Sequence, residues 1–72
     1  MSKDVFQKKL GKNIAQLREE AGLSQTELAL RADKDWQSLN CLAKGRINPS
    51  AFYLSEIAAE LKVPVGKLFD FD

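Results

Sequence analysis

The sequence predicts an all-α fold, and three observations predict it. Apolar residues recur at helical rather than alternating spacing along most of the chain, so no stretch reads as a strand. Start and stop residues punctuate that spacing: Ser24, Asp35 and Ser50 stand where helices need caps, and Gly22 and Gly45 where helices must end. Only Ala32-Asp33-Lys34 lies between two of the helical patterns, too little for a wandering loop. Two helices joined that tightly cross steeply, the helix-turn-helix arrangement.

The first helix is expected over about residues 3–21. Phe6, Leu10, Ile14, Leu17 and Ala21 form one apolar stripe, with Lys8, Lys9, Lys12 and Glu19 outside it. Gly22 supplies a left-handed C-cap, and Leu23 can fold back onto the last turn. Gly11 inside the stripe costs about 1 kcal/mol relative to alanine, which packing must offset. The second helix, about 25–32, begins at a capping box in which Ser24 caps and Glu27 reaches back; its inward set is Leu28, Ala29 and Ala32. The third, about 36–44, is capped by Asp35 and turns Leu39, Leu42 and Ala43 inward. Gln37, Cys41 and Lys44 then share its outer face, with Ser38 and Asn40 on the flanks. Arg46-Ile47-Asn48-Pro49 reads as a loop. Ser50 caps a fourth helix, about 51–61, with Leu54, Ile57, Ala58 and Leu61 inward. Pro64 opens a short fifth helix, about 64–69.

Seventy-two residues set the expectation of one small domain, 1–72. A chain of this size buries only about 60% of its unfolded surface, so its stability is modest or shared with a partner. No apolar run is long enough to span a membrane, and the N-terminal residues lack the apolar stretch of a secretory leader. Cys41 stands alone and cannot make an internal disulfide, which fits a reducing compartment and a cytoplasmic location. With no histidine, nucleophile–base pair, metal-ligand cluster or glycine-rich phosphate loop, the sequence carries no catalytic residue, metal site or cofactor signal.

The net charge of +1 is uneven. Residues 1–18 carry Lys3, Lys8, Lys9, Lys12 and Arg18 against Asp4, whereas residues 19–43 carry Arg31 and Lys34 against Glu19, Glu20, Glu27, Asp33 and Asp35. Lys44 and Arg46 follow. The basic excess therefore lies on the first helix and just after the third. An overall balance this weak predicts modest attraction to a polyanion, reinforced if two subunits bind together.

The segments L-G-K-N-I-A-Q-L-R-E-E-A-G-L-S-Q-T-E-L-A, K-G-R-I-N-P-S and the I-A-x-x-L-x-V-P-x-x-x-L-F ending resemble the Cro/repressor-type helix-turn-helix family, also called the xenobiotic-response-element family. The resemblance spans roughly residues 9–69. It implies a five-helix, lambda-repressor-like DNA-binding domain, its helix-turn-helix formed by helices two and three. It further implies a transcriptional regulator acting as a homodimer on a palindromic operator, with double-stranded DNA as partner and no membrane. Carried over by position, Trp36, Gln37, Ser38 and Cys41 face bases, while Gln25, Lys44, Arg46 and Asn48 grip the backbone. This chain departs from the family at Asp33, where many relatives have glycine. It departs also at Ala43, where a glutamate often pairs with the arginine matching Arg18. Either Arg18 turns to Glu27 or solvent, the expected outcome, or the third helix is held by packing alone, and restoring glutamate at 43 is expected to raise the melting temperature.

Each candidate has a plainer alternative. The Gln37 amide can pair with the N7 and N6 edge of adenine, or it is a solvated surface glutamine. Trp36 presses on a thymine methyl or fills space beside Leu39 and Ala43. Cys41 is a small contact residue or, if oxidised, a block to docking. Lys44 and Arg46, with Lys9 and Lys12 behind them, are phosphate contacts or a solvated charged face. Val65, Phe69 and Phe71, with Phe52 and Tyr53, form a self-association patch or complete the core. The competing functions are a protein-interaction module, including an antitoxin-type partner-binding protein, and a domain whose altered third helix reads DNA poorly. Burial of the Gln37–Cys41–Lys44 face against the chain itself would remove the regulator reading.

Overall fold

The computed structural model describes every residue from Met1 to Asp72. It contains α1 (Lys3–Glu20), α2 (Gln25–Arg31), α3 (Trp36–Ala43), α4 (Ala51–Leu61) and a final 3₁₀ helix (Val65–Phe69), with no strand. The all-α expectation holds, with one correction: the fifth element is a 3₁₀ helix behind Pro64, so the α-helices number four. Each of the first three helices also stops one residue short of expectation. Ala21, Ala32 and Lys44 are the half-in residues at their C-terminal ends.

Every α-helix starts the same way. Ser2, Ser24, Asp35 and Ser50 hold extended backbone and accept from the N–H three residues on. The capping box is complete, with Glu27 N–H donating to Ser24 Oγ at 3.0 Å and Ser24 N–H to Glu27 Oε1 at 3.1 Å. The four ends are alike too. Gly22, Asp33, Gly45 and Lys62 are left-handed, with φ of 75°, 56°, 72° and 60°. After each, the next N–H reaches back to the carbonyl five residues earlier: Leu23 to Arg18, Lys34 to Ala29, Arg46 to Cys41 and Val63 to Ala58. Turn chemistry local to each junction thus sets every boundary.

Fourteen apolar residues form the core, with Leu28, Leu42, Ile57 and Leu68 almost fully covered. Burial of each such side chain is worth about 1.5–3 kcal/mol. The inward sets expected for the second and fourth helices are all buried, and Leu39 and Leu42 hold α3 down with Ala43 half-buried. The α1 stripe needs correction at both ends. Phe6 and Ala21 are exposed, and Gln7 and Gly11 are buried instead. At the C-terminal end Ala21 is the half-in residue that closes the helix, and at the N-terminal end the cause is the crossing of α3 over α1. A Cβ on Gly11 would stand 2.7 Å from the Ala43 carbonyl oxygen, so only glycine admits the C-terminal end of α3 here. That contact draws the face holding residues 7 and 11 inward. Phe6 is left beside the C-terminal segment, its ring 6.2 Å from Phe69 and 5.6 Å from Phe71.

Asn13 fastens the 3₁₀ helix to α1, its Nδ2 donating to the Lys67 and Leu68 carbonyls at 3.0 and 2.8 Å. No helix is long and apolar enough to cross a membrane.

Candidate nucleic-acid interface

The buried face of α3 leaves an outer face of known composition. Gln37 and Lys44 are exposed, Cys41 is half-buried between them, and Trp36 opens the helix at 49% exposure. The face expected to be free is therefore not packed against the chain. Ser38 and Asn40, on the flanks, are half-buried and engaged. Ser38 Oγ lies 3.0 Å from Tyr53 Oη on α4, and Asn40 Oδ1 accepts from Gln25 Nε2 at 3.4 Å, a long bond that braces α2 against α3.

The turn between α2 and α3 is tied to α4. Lys34 Nζ pairs with Glu56 and lies 4.8 Å from the centroid of the Tyr53 ring. Only 17% of the Lys34 side chain is exposed, so this cation serves the fold and is not available to a ligand. Asp33, the departure from glycine, takes the left-handed conformation the turn demands.

Beyond α3, Lys44, Arg46 and Asn48 are all exposed. A further cation, one that sequence reasoning did not single out, sits beside them. A Cβ on Gly45 would meet the Lys8 backbone and side chain at 2.7–2.8 Å, so the end of α3 rests directly on Lys8, itself exposed. Lys8, Lys44 and Arg46 thus gather at one end of α3. Helical spacing shows Lys8 to lie outside the α1 stripe, but only the crossing at Gly11 brings it to α3. Lys9 is placed differently: its ammonium binds the Asp72 carbonyl, and with Lys12, Asn13, Gln16 and Phe71 it lines a separate cleft of about 250 Å³.

Arg18 does turn away from position 43, though its destination differs from expectation. Nη1 donates to the Leu23 carbonyl at 2.7 Å and Nη2 lies 3.9 Å from Glu19, with neither Glu27 nor solvent as its partner. Glu27 is held by its own helix end. The Ser24 N–H, then the Ser24 hydroxyl and Arg31, depress its pKa below the ordinary 4.5.

A second surface begins in the loop after α3, where Asn48 lines it too. Phe6, Leu10, Pro49, Leu54, Val65 and Phe69 line an apolar groove of about 240 Å³. Val65 and Phe69 are exposed, Phe71 is half-buried against the core, and Phe52 is 72% exposed.

Two helices crossing through a left-handed turn, the second presenting a polar outer face with cations at its end, define a helix-turn-helix module. The comparisons with known proteins agree. The helix-turn-helix family profile matches residues 14–68. An uncharacterized HTH-type transcriptional regulator, y4dJ of Sinorhizobium fredii, is 42% identical over 58 residues, 81% of this chain and 75% of its own. Among solved structures, the restriction-modification controller protein C.AhdI from Aeromonas hydrophila superposes with a TM-score of 0.84 at 29% identity, over 86% of this chain and 94% of its own. The clp gene regulator ClgR from C. glutamicum shares the fold, with a TM-score of 0.86 at 23% identity over 89% of this chain and 82% of its own. The chain belongs to the helix-turn-helix family of transcriptional regulators, of the Cro/repressor or xenobiotic-response-element type.

Proposed function

We propose that this protein is a cytoplasmic, sequence-specific DNA-binding regulator that acts as a homodimer with α3 in the major groove. The observation carrying the proposal is that the outer face of α3 stays uncovered while Lys8, Lys44 and Arg46 gather at its end. Gln37 is the principal base reader, since its amide can donate and accept at one adenine edge. Trp36 and Cys41 add apolar contact, and Ser38 contributes from the flank. Lys44, Arg46 and Asn48, with Gln25 and the newly placed Lys8, hold phosphates and fix the register.

The dimer uses the apolar groove, with Val65 and Phe69 lining it and Phe71 packed against the Phe6 ring beside it. A body of 31 × 22 × 20 Å is of a size to be paired so that two α3 helices stand about 34–36 Å apart, one turn of DNA.

Fluorescence titration of random-sequence duplex at two salt concentrations tests the reading. Affinity falls steeply with salt, and Lys8→Ala, Lys44→Ala and Arg46→Ala each reduce the log–log slope by about 1. Indifference to salt overturns it and favours a protein partner. Selection from a random pool then yields sites with dyad symmetry, lost in a variant that abolishes the dimer.

A further inference from the structure

We propose that Tyr53, on α4 and outside the helix-turn-helix, determines specificity by setting the pose of the first turn of α3. The inference rests on the DNA-reading surface proposed above and names a residue that acts on it from behind.

The two halves of α3 are held differently. Its C-terminal half lies on α1, where Leu42 is buried and the Ala43 carbonyl meets Gly11. Asn40, in the middle, is braced by Gln25 of α2. The first turn has Trp36 and Gln37 facing outward, and its side-chain tie to α4 is the bond between Ser38 Oγ and Tyr53 Oη at 3.0 Å. Tyr53 is itself well fixed. Its N–H donates to Ser50 Oγ at 3.1 Å, and its ring lies against Lys34, which pairs with Glu56 one turn further along α4. An aromatic ring has few torsions, so a ring held at its backbone and on one face delivers its hydroxyl to a fixed point.

That point matters because Gln37 adjoins Ser38. A bidentate amide–adenine pair needs two hydrogen bonds of good length and angle together, and hydrogen bonds weaken steeply with misalignment. Phosphate attraction tolerates such a shift. Loss of the Tyr53 hydroxyl therefore falls on discrimination between sequences and spares general affinity. Ser38 also keeps capacity after bonding Tyr53, since a hydroxyl offers one donor and two acceptor positions.

The test uses the full chain with Tyr53→Phe, Ser38→Ala and the double variant. Tyr53→Phe keeps the ring and its contact with Lys34. Melting temperature falls by a few degrees at most, the loss of one part-buried hydrogen bond, while affinity for random duplex and salt slope stay as in the wild type. The preference for the selected site over single base-pair variants under the first turn falls about five- to tenfold. Ser38→Ala, which loses both the tie and its own contact from the flank, falls at least as far, and adding Tyr53→Phe to it costs no more, because the Tyr53 hydroxyl acts only through Ser38. Amide exchange in the first turn of α3, measured without DNA, quickens in Tyr53→Phe. Undiminished discrimination in Tyr53→Phe, or a loss of random-duplex affinity in step with it, overturns the proposal. Unchanged amide exchange overturns the positioning role whatever the protein binds. Salt-indifferent binding by the wild type is a separate failure, that of the DNA reading itself.

Discussion

Arg18 and Leu23 exchange two hydrogen bonds across the end of α1. The Leu23 N–H donates to the Arg18 carbonyl at 3.1 Å, and Arg18 Nη1 donates back to the Leu23 carbonyl at 2.7 Å. The first bond closes α1. The second satisfies a carbonyl that precedes the Ser24 cap and belongs to no helix, so one side chain fixes how α2 departs from α1. With 20% of its side chain exposed, Arg18 has a charge-assisted partner already and needs none at position 43.

Removing that partner should be costly. Arg18→Leu leaves the Leu23 carbonyl without its donor and is expected to lower stability by about 2 kcal/mol, read from the urea midpoint. Ala43→Glu, which the family pattern favours, is expected to lower the melting temperature. The carboxylate would meet the negative end of α3, a penalty of about 0.5–1 kcal/mol, and would compete for a guanidinium in use. A rise would show that Arg18 exchanges partners freely.

Gly11 is the tightest point of the fold. Gly11→Ala sets a methyl group 2.7 Å from the Ala43 carbonyl oxygen and 2.9 Å from its carbon, both backbone atoms that cannot swing aside. The gain in helix propensity, about 1 kcal/mol, is outweighed by overpacking of at least about 1–3 kcal/mol. Thermal unfolding should show net destabilisation, with DNA affinity falling as α3 is lifted from α1. A stabilised variant would mean that α3 does not rest there.

The two non-glycine left-handed residues offer the opposite change. Asp33 and Lys62 hold φ near 56° and 60°, a conformation costing an L-residue about 1–2 kcal/mol. Glycine relieves this at a smaller entropic cost. Asp33→Gly and Lys62→Gly should each stabilise by about 0.5–1 kcal/mol and should combine nearly additively, being separate helix ends. Calorimetry of the single and double variants checks both statements.

Glu27 predicts a pH dependence. Its folded pKa lies below the ordinary 4.5, chiefly because the Ser24 N–H binds the carboxylate. At pH near 4.5 the unfolded chain therefore holds more protons than the folded one at this group. Its contribution is present above that pH and is lost as pH falls through the depressed folded value. Glu27→Gln keeps an acceptor for the Ser24 N–H but does not titrate. The wild type should exceed the variant in urea midpoint at pH 7, with the gap closing on acidification below 4.5. A gap independent of pH would reject the assignment.

Most of the fold was legible because its signals are local. A cap needs an oxygen beside a few free N–H groups, and a helix end needs one left-handed residue; both lie within the five residues a reader can see. Helical spacing likewise placed Leu28, Ala29, Leu54, Ile57, Ala58 and Leu61 in the core. The same spacing left the outer face of α3 readable as Gln37, Cys41 and Lys44. It misplaced Phe6, since periodicity gives a helix face but not which neighbour will cover each end of it.

The sequence alone therefore determined where helices begin and end, which stripe of each is apolar, and that a helix-turn-helix results. Tertiary structure alone decided the company that polar side chains keep across elements. It sent Lys34 to Glu56 and Tyr53, Asn13 to the carbonyls of the 3₁₀ helix, Tyr53 to Ser38 and Lys8 to the end of α3. The physical reason is range. Capping and helical periodicity act over a few bonds of one chain segment, whereas a long polar side chain has many reachable partners until the packing of one helix on another selects among them.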